Sequence, residues 1–105
     1  MNRDEFLKKF IRKKKITVDG DELEISELTL GQREKLMQLL ADDSMKETVK
    51  QAVIVCMALD FLDEENQDDI DAVVSRGAVA VTDIAEQVYI LSGLKEVSDG
   101  DQVKN

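Results

Sequence analysis

Between Ala52 and Leu59 eight successive residues carry no charge and no strongly polar group. Polar, helix-favouring residues flank this run, so the stretch from Ser44 to Leu62 reads as one helix. A helix that is apolar on every side is buried by other elements instead of lying on their surface. Several elements must therefore surround residues 44–62, and no other feature of the chain constrains the fold as strongly. Ser44 and Glu47 stand at the Ser-x-x-Glu spacing of a capping box, in which two side chains reciprocally satisfy free backbone N–H groups. A charged substitution at Val53, inside the run, is expected to unfold the domain.

The candidates for surrounding it are short. Residues 3–12 place Phe6, Leu7, Phe10 and Ile11 on one helical stripe, with Lys8, Lys9 and Arg12 outside it. A helix of this length is marginal alone and needs something to dock on. The period then changes: Lys15 to Val18 and Leu23 to Ile25 alternate polar and apolar around Asp19-Gly20, a strong hairpin signal. Thr29 and Gln32 repeat the capping-box spacing and open a helix through about Ala41, with Leu36, Met37, Leu39 and Leu40 as its apolar face. After Leu62 come seven polar residues, five of them acids. Ile70, Val73 and Val74 mark a further helix that Gly77 is expected to end in a left-handed cap. A last helix carries Val81, Ile84, Ala85, Val88 and Leu91 on one stripe, stops at Gly93, and has Leu94 folding back onto it. The expected architecture is mainly α with a small β part (α+β): about five helices around a central helix 44–62, and an N-terminal β-hairpin near 15–26. Residues 1–94 form one domain, and 95–105 a polar tail with too few apolar groups to order.

The residue inventory argues against catalysis. The chain has no histidine, the commonest general base and zinc ligand. Its one cysteine, Cys56, lies in the most apolar run, where a thiol behaves as a small hydrophobe and not as a nucleophile. The acids from Asp63 to Asp71 do not make a calcium loop: counted from Asp63, the sixth position is Asp68 instead of glycine and the twelfth is Val74 instead of glutamate. The glycines are scattered at turns, so no phosphate cradle is indicated. Neither a cofactor nor a metal is expected, and no apolar run is long enough for a membrane span. With no signal core followed by a cleavage site, the lone thiol fits a reducing cytosol.

Charge is segregated. Residues 1–15 hold seven Lys/Arg against two acids, a balance of +5; the rest hold seven against 21, a balance of −14, giving −9. Such an acidic body repels phosphate backbones, so nucleic acid is not an expected partner. The stripes, the hairpin face and the all-apolar helix together offer more aliphatic surface than a thin domain hides. Exposed apolar surface marks a partner site. Self-association, or an amphipathic helix laid in a groove, would satisfy it. The residues alone point to a non-enzymatic helical interaction protein.

The order of segments also resembles a known family. The junction Ile25-Ser26-Glu27-Leu28-Thr29-Leu30-Gly31-Gln32-Arg33-Glu34, the apolar helix, the acidic connection and the ending Leu91-Ser92-Gly93-Leu94 are similar to the tail assembly chaperones of long-tailed (siphophage-type) bacteriophages. The likeness runs from residue 3 to about 95, on short motifs. It implies a non-catalytic chaperone that binds the tape-measure protein and keeps it soluble while the tail is built. By the same likeness the protein would homo-oligomerise, meet the tail tube protein through a longer frameshifted form, and act in the host bacterial cytoplasm without entering the mature virion. The expected contact residues are Phe6, Leu7, Phe10 and Ile11 on the first helix, with Leu36, Met37 and Leu40 on the next. The rival reading is an acidic regulatory or adaptor protein that binds a basic partner electrostatically, as a nucleic-acid mimic would.

Overall fold

In the computed structural model, which describes residues 1–95, the chain runs α1 (Arg3–Leu7), β1 (Lys13–Val18), β2 (Asp21–Ser26), α2 (Leu30–Leu40), α3 (Glu47–Ala58), α4 (Gln67–Val74) and α5 (Ala78–Leu91). It is mainly helical with a small β part, as the periodicities require. Asp19 and Gly20 both take positive φ, 52° and 87°. This is the type I′ geometry that matches the twist of the flanking strands. The turn sets Ile16 opposite Leu23 and Lys14 opposite Ile25. Strand alternation therefore puts Ile16, Val18, Leu23 and Ile25 on one face, and that face packs chiefly on α5. Lys14 shares the face and donates to Gln87 of α5 at 3.2 Å.

The core is one connected cluster. α3 supplies Ala52, Ile54, Val55, Cys56, Met57 and Ala58, all buried, and is packed by α2, α4 and α5. Since the hairpin rests mainly on α5, α3 and α5 share the central position. The central helix is shorter than residues 44–62. Ser44 does not cap it: its N–H and hydroxyl both donate to the Asp42 carboxylate, a charged acceptor two residues away that outcompetes the helix end. Lys46 is the N-cap and makes no side-chain bond there. At the other end Leu59 is extended and buried, while Asp60 and Phe61 are exposed. Val53 is only half-buried, so the test of a buried post moves to its neighbour Ile54.

Two further expectations are corrected. The first helix ends at Leu7, not Arg12; Phe10 sits at φ 68°, and beyond it Arg12 and Glu27 exchange backbone and side-chain bonds that extend the hairpin base. Gly77 is not a left-handed stop: its φ is −62° and it is the N-cap of α5, while Ser75 caps α4. The left-handed stop is Gly93, at φ 75°. Its N–H bonds to Ile90 O at 3.1 Å and that of Leu94 to Tyr89 O at 2.9 Å, the two bonds of a Schellman motif. Of the expected tail, Lys95 pairs with Glu86 at 2.6 Å, and 96–105 lie outside the described residues.

Candidate functional site

The Thr29 capping box forms as its spacing predicts. Gln32 N–H donates to Thr29 Oγ1 at 3.1 Å, and Thr29 N–H to Gln32 Oε1 at 2.9 Å. The same Gln32 amide donates to Met57 O at the end of α3 (3.2 Å) and to Glu64 (3.1 Å). One side chain thus fixes the start of α2 against the end of α3. At the far end of α2, buried Lys50 of α3 donates to Leu40 O at 3.3 Å, satisfying a free helix-end carbonyl with a cation.

Held at both ends, α2 faces inward with Leu36, which is 0% exposed. Leu36 is therefore corrected from a contact residue to a core residue: it packs in the connected apolar cluster. Flanking Leu36 and turned partly away from the core, Leu30 (83% exposed), Met37 (48%) and Leu40 (38%) remain open, with Arg33 between Leu30 and Met37. Spacings of three, four and three residues put all four on one helical stripe. The sequence reading overlooked Leu30, although its distance from Met37 and Leu40 places it on their stripe.

At the head of this stripe lies an open cleft of about 410 Å³, formed by Phe6, Leu7, Phe10 and Ile11 with Leu28 and Leu30. No residue of α1 is buried. Phe6 and Phe10 are 58% and 67% exposed, and their ring centroids are 5.3 Å apart at a tilted angle. The structure thus brings Phe6 and Leu7 of α1, and Phe10 and Ile11 just after it, together with Leu30, while Met37 and Leu40 continue along α2.

A second apolar cleft, of about 560 Å³, opens at the hairpin tip between the strands and α3, α4 and α5. Val18, Leu23, Leu59, Val81 and Ile84 line it, and exposed Phe61 stands at its rim. The sequence reading did not single out Phe61, because it counted as the end of the central helix.

The segments that carry the family likeness meet in space. Leu28 N–H donates to the buried Ser92 hydroxyl at 2.9 Å. Arg12 reaches both Glu27 and Leu91 O, the latter at 3.0 Å. Arg12, Glu27, Leu28, Leu91 and Ser92 thus join elements, whereas Leu30 and Arg33 of the same junction lie on the open stripe.

Electrostatics around the site is ordinary surface chemistry. Lys35 pairs with Glu65 at 2.8 Å and Glu64 at 3.5 Å, and these partners, Glu65 first, hold its ammonium above the usual pKa. Burial pushes the Cys56 thiol up to about 11, with Asp69, Glu64 and Asp63 adding to the effect. A thiol so shifted is protonated at neutral pH and is no nucleophile. Among the described residues no group of His, Cys, Asp or Glu is placed to hold a metal, and no helix is long and apolar enough to cross a membrane. In comparisons with known proteins, no family model, no curated protein and no solved structure matches this chain.

Proposed function

We propose that this chain is a non-catalytic helix-binding protein, and specifically a tail assembly chaperone that holds the tape-measure protein soluble while a phage tail is built. The observation that carries the reading is the open stripe Leu30, Arg33, Met37 and Leu40 on a helix pinned at both ends. A mostly apolar row at heptad-like spacing, interrupted by Arg33 and rigidly presented, is a surface against which an amphipathic helix can pack. Met37 adds a flexible, polarisable contact that tolerates varied client sequences. Phe6, Leu7, Phe10 and Ile11 bound the head of the row. The family likeness supplies the identity of the client; the stripe supports only that the client is helical and apolar on one face.

The test is co-expression with the long, coiled-coil-rich reading frame expected downstream. The client should stay soluble and co-purify with the wild-type chain. Leu30→Lys with Met37→Lys should weaken capture about tenfold or more, since each fully buried apolar side chain contributes about 1.5–3 kcal/mol. A client that stays insoluble, or is captured equally by the double variant, overturns the reading.

A further inference from the structure

One buried polar atom is left without a partner. Among the described residues, Gln51 Oε1 is shut off from solvent and accepts no hydrogen bond. Native interiors rarely leave such an acceptor unmet, so a donor from outside the chain is called for. Gln51 lines an open cleft of about 240 Å³ between α3, α4 and the start of α5. Two opposite charges border the same cleft. Glu47 stands one turn before Gln51 on the same face of α3, and Arg76 stands between α4 and α5. Neither forms an ion pair among the described residues, with the other or with any further group. Arg76 donates through Nε to Ala72 O at 3.2 Å, which leaves the ends of its guanidinium for a ligand. α5 begins beside it at Gly77, which has no side chain to cap the helix, and Ala78 of its first turn lines the cleft.

These groups define the chemistry of an occupant: a donor for Gln51, a positive group for Glu47 and a negative group for Arg76. Ala52, Val73 and Val81 add apolar wall. The volume is below the about 300–1,000 Å³ of sites for drug-sized ligands, so the occupant is small. We propose that the cleft binds a free α-amino acid with a short aliphatic side chain. Its ammonium donates to Gln51 Oε1 and faces Glu47, its carboxylate is held by Arg76 and the start of α5, and its side chain lies on Val73 and Val81. A carboxylate suits that helix end, where the first backbone N–H groups lack intrahelical partners. A peptide terminus is a poorer occupant, since each carries only one of the two charges. A simple acid leaves Glu47 and Gln51 unmet, and a simple amine leaves Arg76 unmet. The exposed charges are hydrated in the free protein, so affinity is modest and selectivity comes from matching both at once. Among the described residues none of α1 or α2 lines this cleft, so the site is independent of the client stripe.

The test is a nuclear magnetic resonance titration of the full chain with three probes: L-valine, isovalerate (valine without its amino group) and isobutylamine (valine without its carboxylate). Circular dichroism confirms that each variant keeps its helices. L-valine should shift the side-chain amide signals of Gln51 and the backbone amides of Ala78 and Val81 saturably, and each analogue should need about tenfold more. Glu47→Gln and Arg76→Gln should each weaken L-valine binding about fivefold or more. Both positions are exposed, so the fold should persist. Glu47→Gln should also narrow the margin between L-valine and isovalerate, and Arg76→Gln that between L-valine and isobutylamine, which a mere loss of shape would not do. The absence of a saturable shift, equal affinity for the three probes, or variants that bind as the wild type does would each overturn the proposal. Client capture should be unchanged in both variants and is read separately, so a failure here leaves the helix-binding reading standing.

Discussion

Cys56 is 1% exposed, and its thiol is held protonated up to a pKa of about 11 against the ordinary 9.0. The unfolded chain therefore ionises this group first. Its contribution to stability is intact below pH 9 and is lost as pH rises through about 11, at no more than about 1.4 kcal/mol per pH unit. Half-buried Tyr89, raised mainly by burial, acts in the same direction. Urea midpoints measured from pH 8 upward should fall less steeply for Cys56→Ala than for wild type; parallel slopes would refute the assignment. A thiol reagent should modify Cys56 only after denaturation. Gln32 is the residue where one substitution loosens two helix ends. Gln32→Ala removes half of a capping box and two further bonds, a loss of about 2 kcal/mol and roughly 10 °C in melting temperature. A change under a few degrees would show that water replaces those bonds without cost. The cap is visible in the spacing of Thr29 and Gln32, but the reach of Gln32 to Met57 is not, since it depends on where α3 ends. Burial of Lys50 is hidden for the same reason: the Leu40 carbonyl that receives it is ten residues away and meets it only in the folded chain.

Among the elements, those with local signals were legible. The Asp19-Gly20 turn, the Thr29 box and the Gly93 stop each form from residues a few positions apart. Misreadings occurred where two local signals competed. Ser44 has both Glu47 and Asp42 within reach, and the nearer carboxylate takes it. Gly77 stands between two helices, and a glycine suits either the end of one or the start of the next. α1 is cut short because Arg12 is drawn into the hairpin base by Glu27, leaving its stripe without a helix to carry Phe10 and Ile11. The apolar run of α3 was legible as buried but not which side is tightest. Ile54, at 1% exposure, faces the core, whereas Val53 lies partly open. Ile54→Asp should cost roughly 4 kcal/mol or more, a large share of the 5–15 kcal/mol typical of a domain. Val53→Lys should cost about 1 kcal/mol. Equal loss of the cooperative transition in both would mean that α3 is buried all round.

For the whole molecule, the question is whether partners are held by apolar area or by charge. A net charge of −9 would draw basic partners at low ionic strength, and the rival electrostatic reading rests on it. In about 0.5 M salt the Debye length is about 4 Å, and charge-driven binding collapses. Capture of a helical client along Leu30, Met37 and Leu40 should persist there. Loss of capture on adding salt would favour the acidic adaptor. Of the residues expected to meet a partner, Phe6, Leu7, Phe10, Ile11, Met37 and Leu40 are exposed. Leu36 was not separable from Met37 by composition, because one residue step along α2 turns a side chain from the core to the open side.

The bond from Leu28 to Ser92 spans 64 positions of the chain, and it has a consequence in time. A ribosome adds about 5–20 residues per second, so roughly 3–13 s pass between the two partners. During that interval the hairpin can close but has no α5 to lie on, and Ile16 and Ile25 stand uncovered. Nascent chains arrested before Ala78 should therefore be the form most easily lost to proteolysis, and completion of α5 the step that ends the exposure.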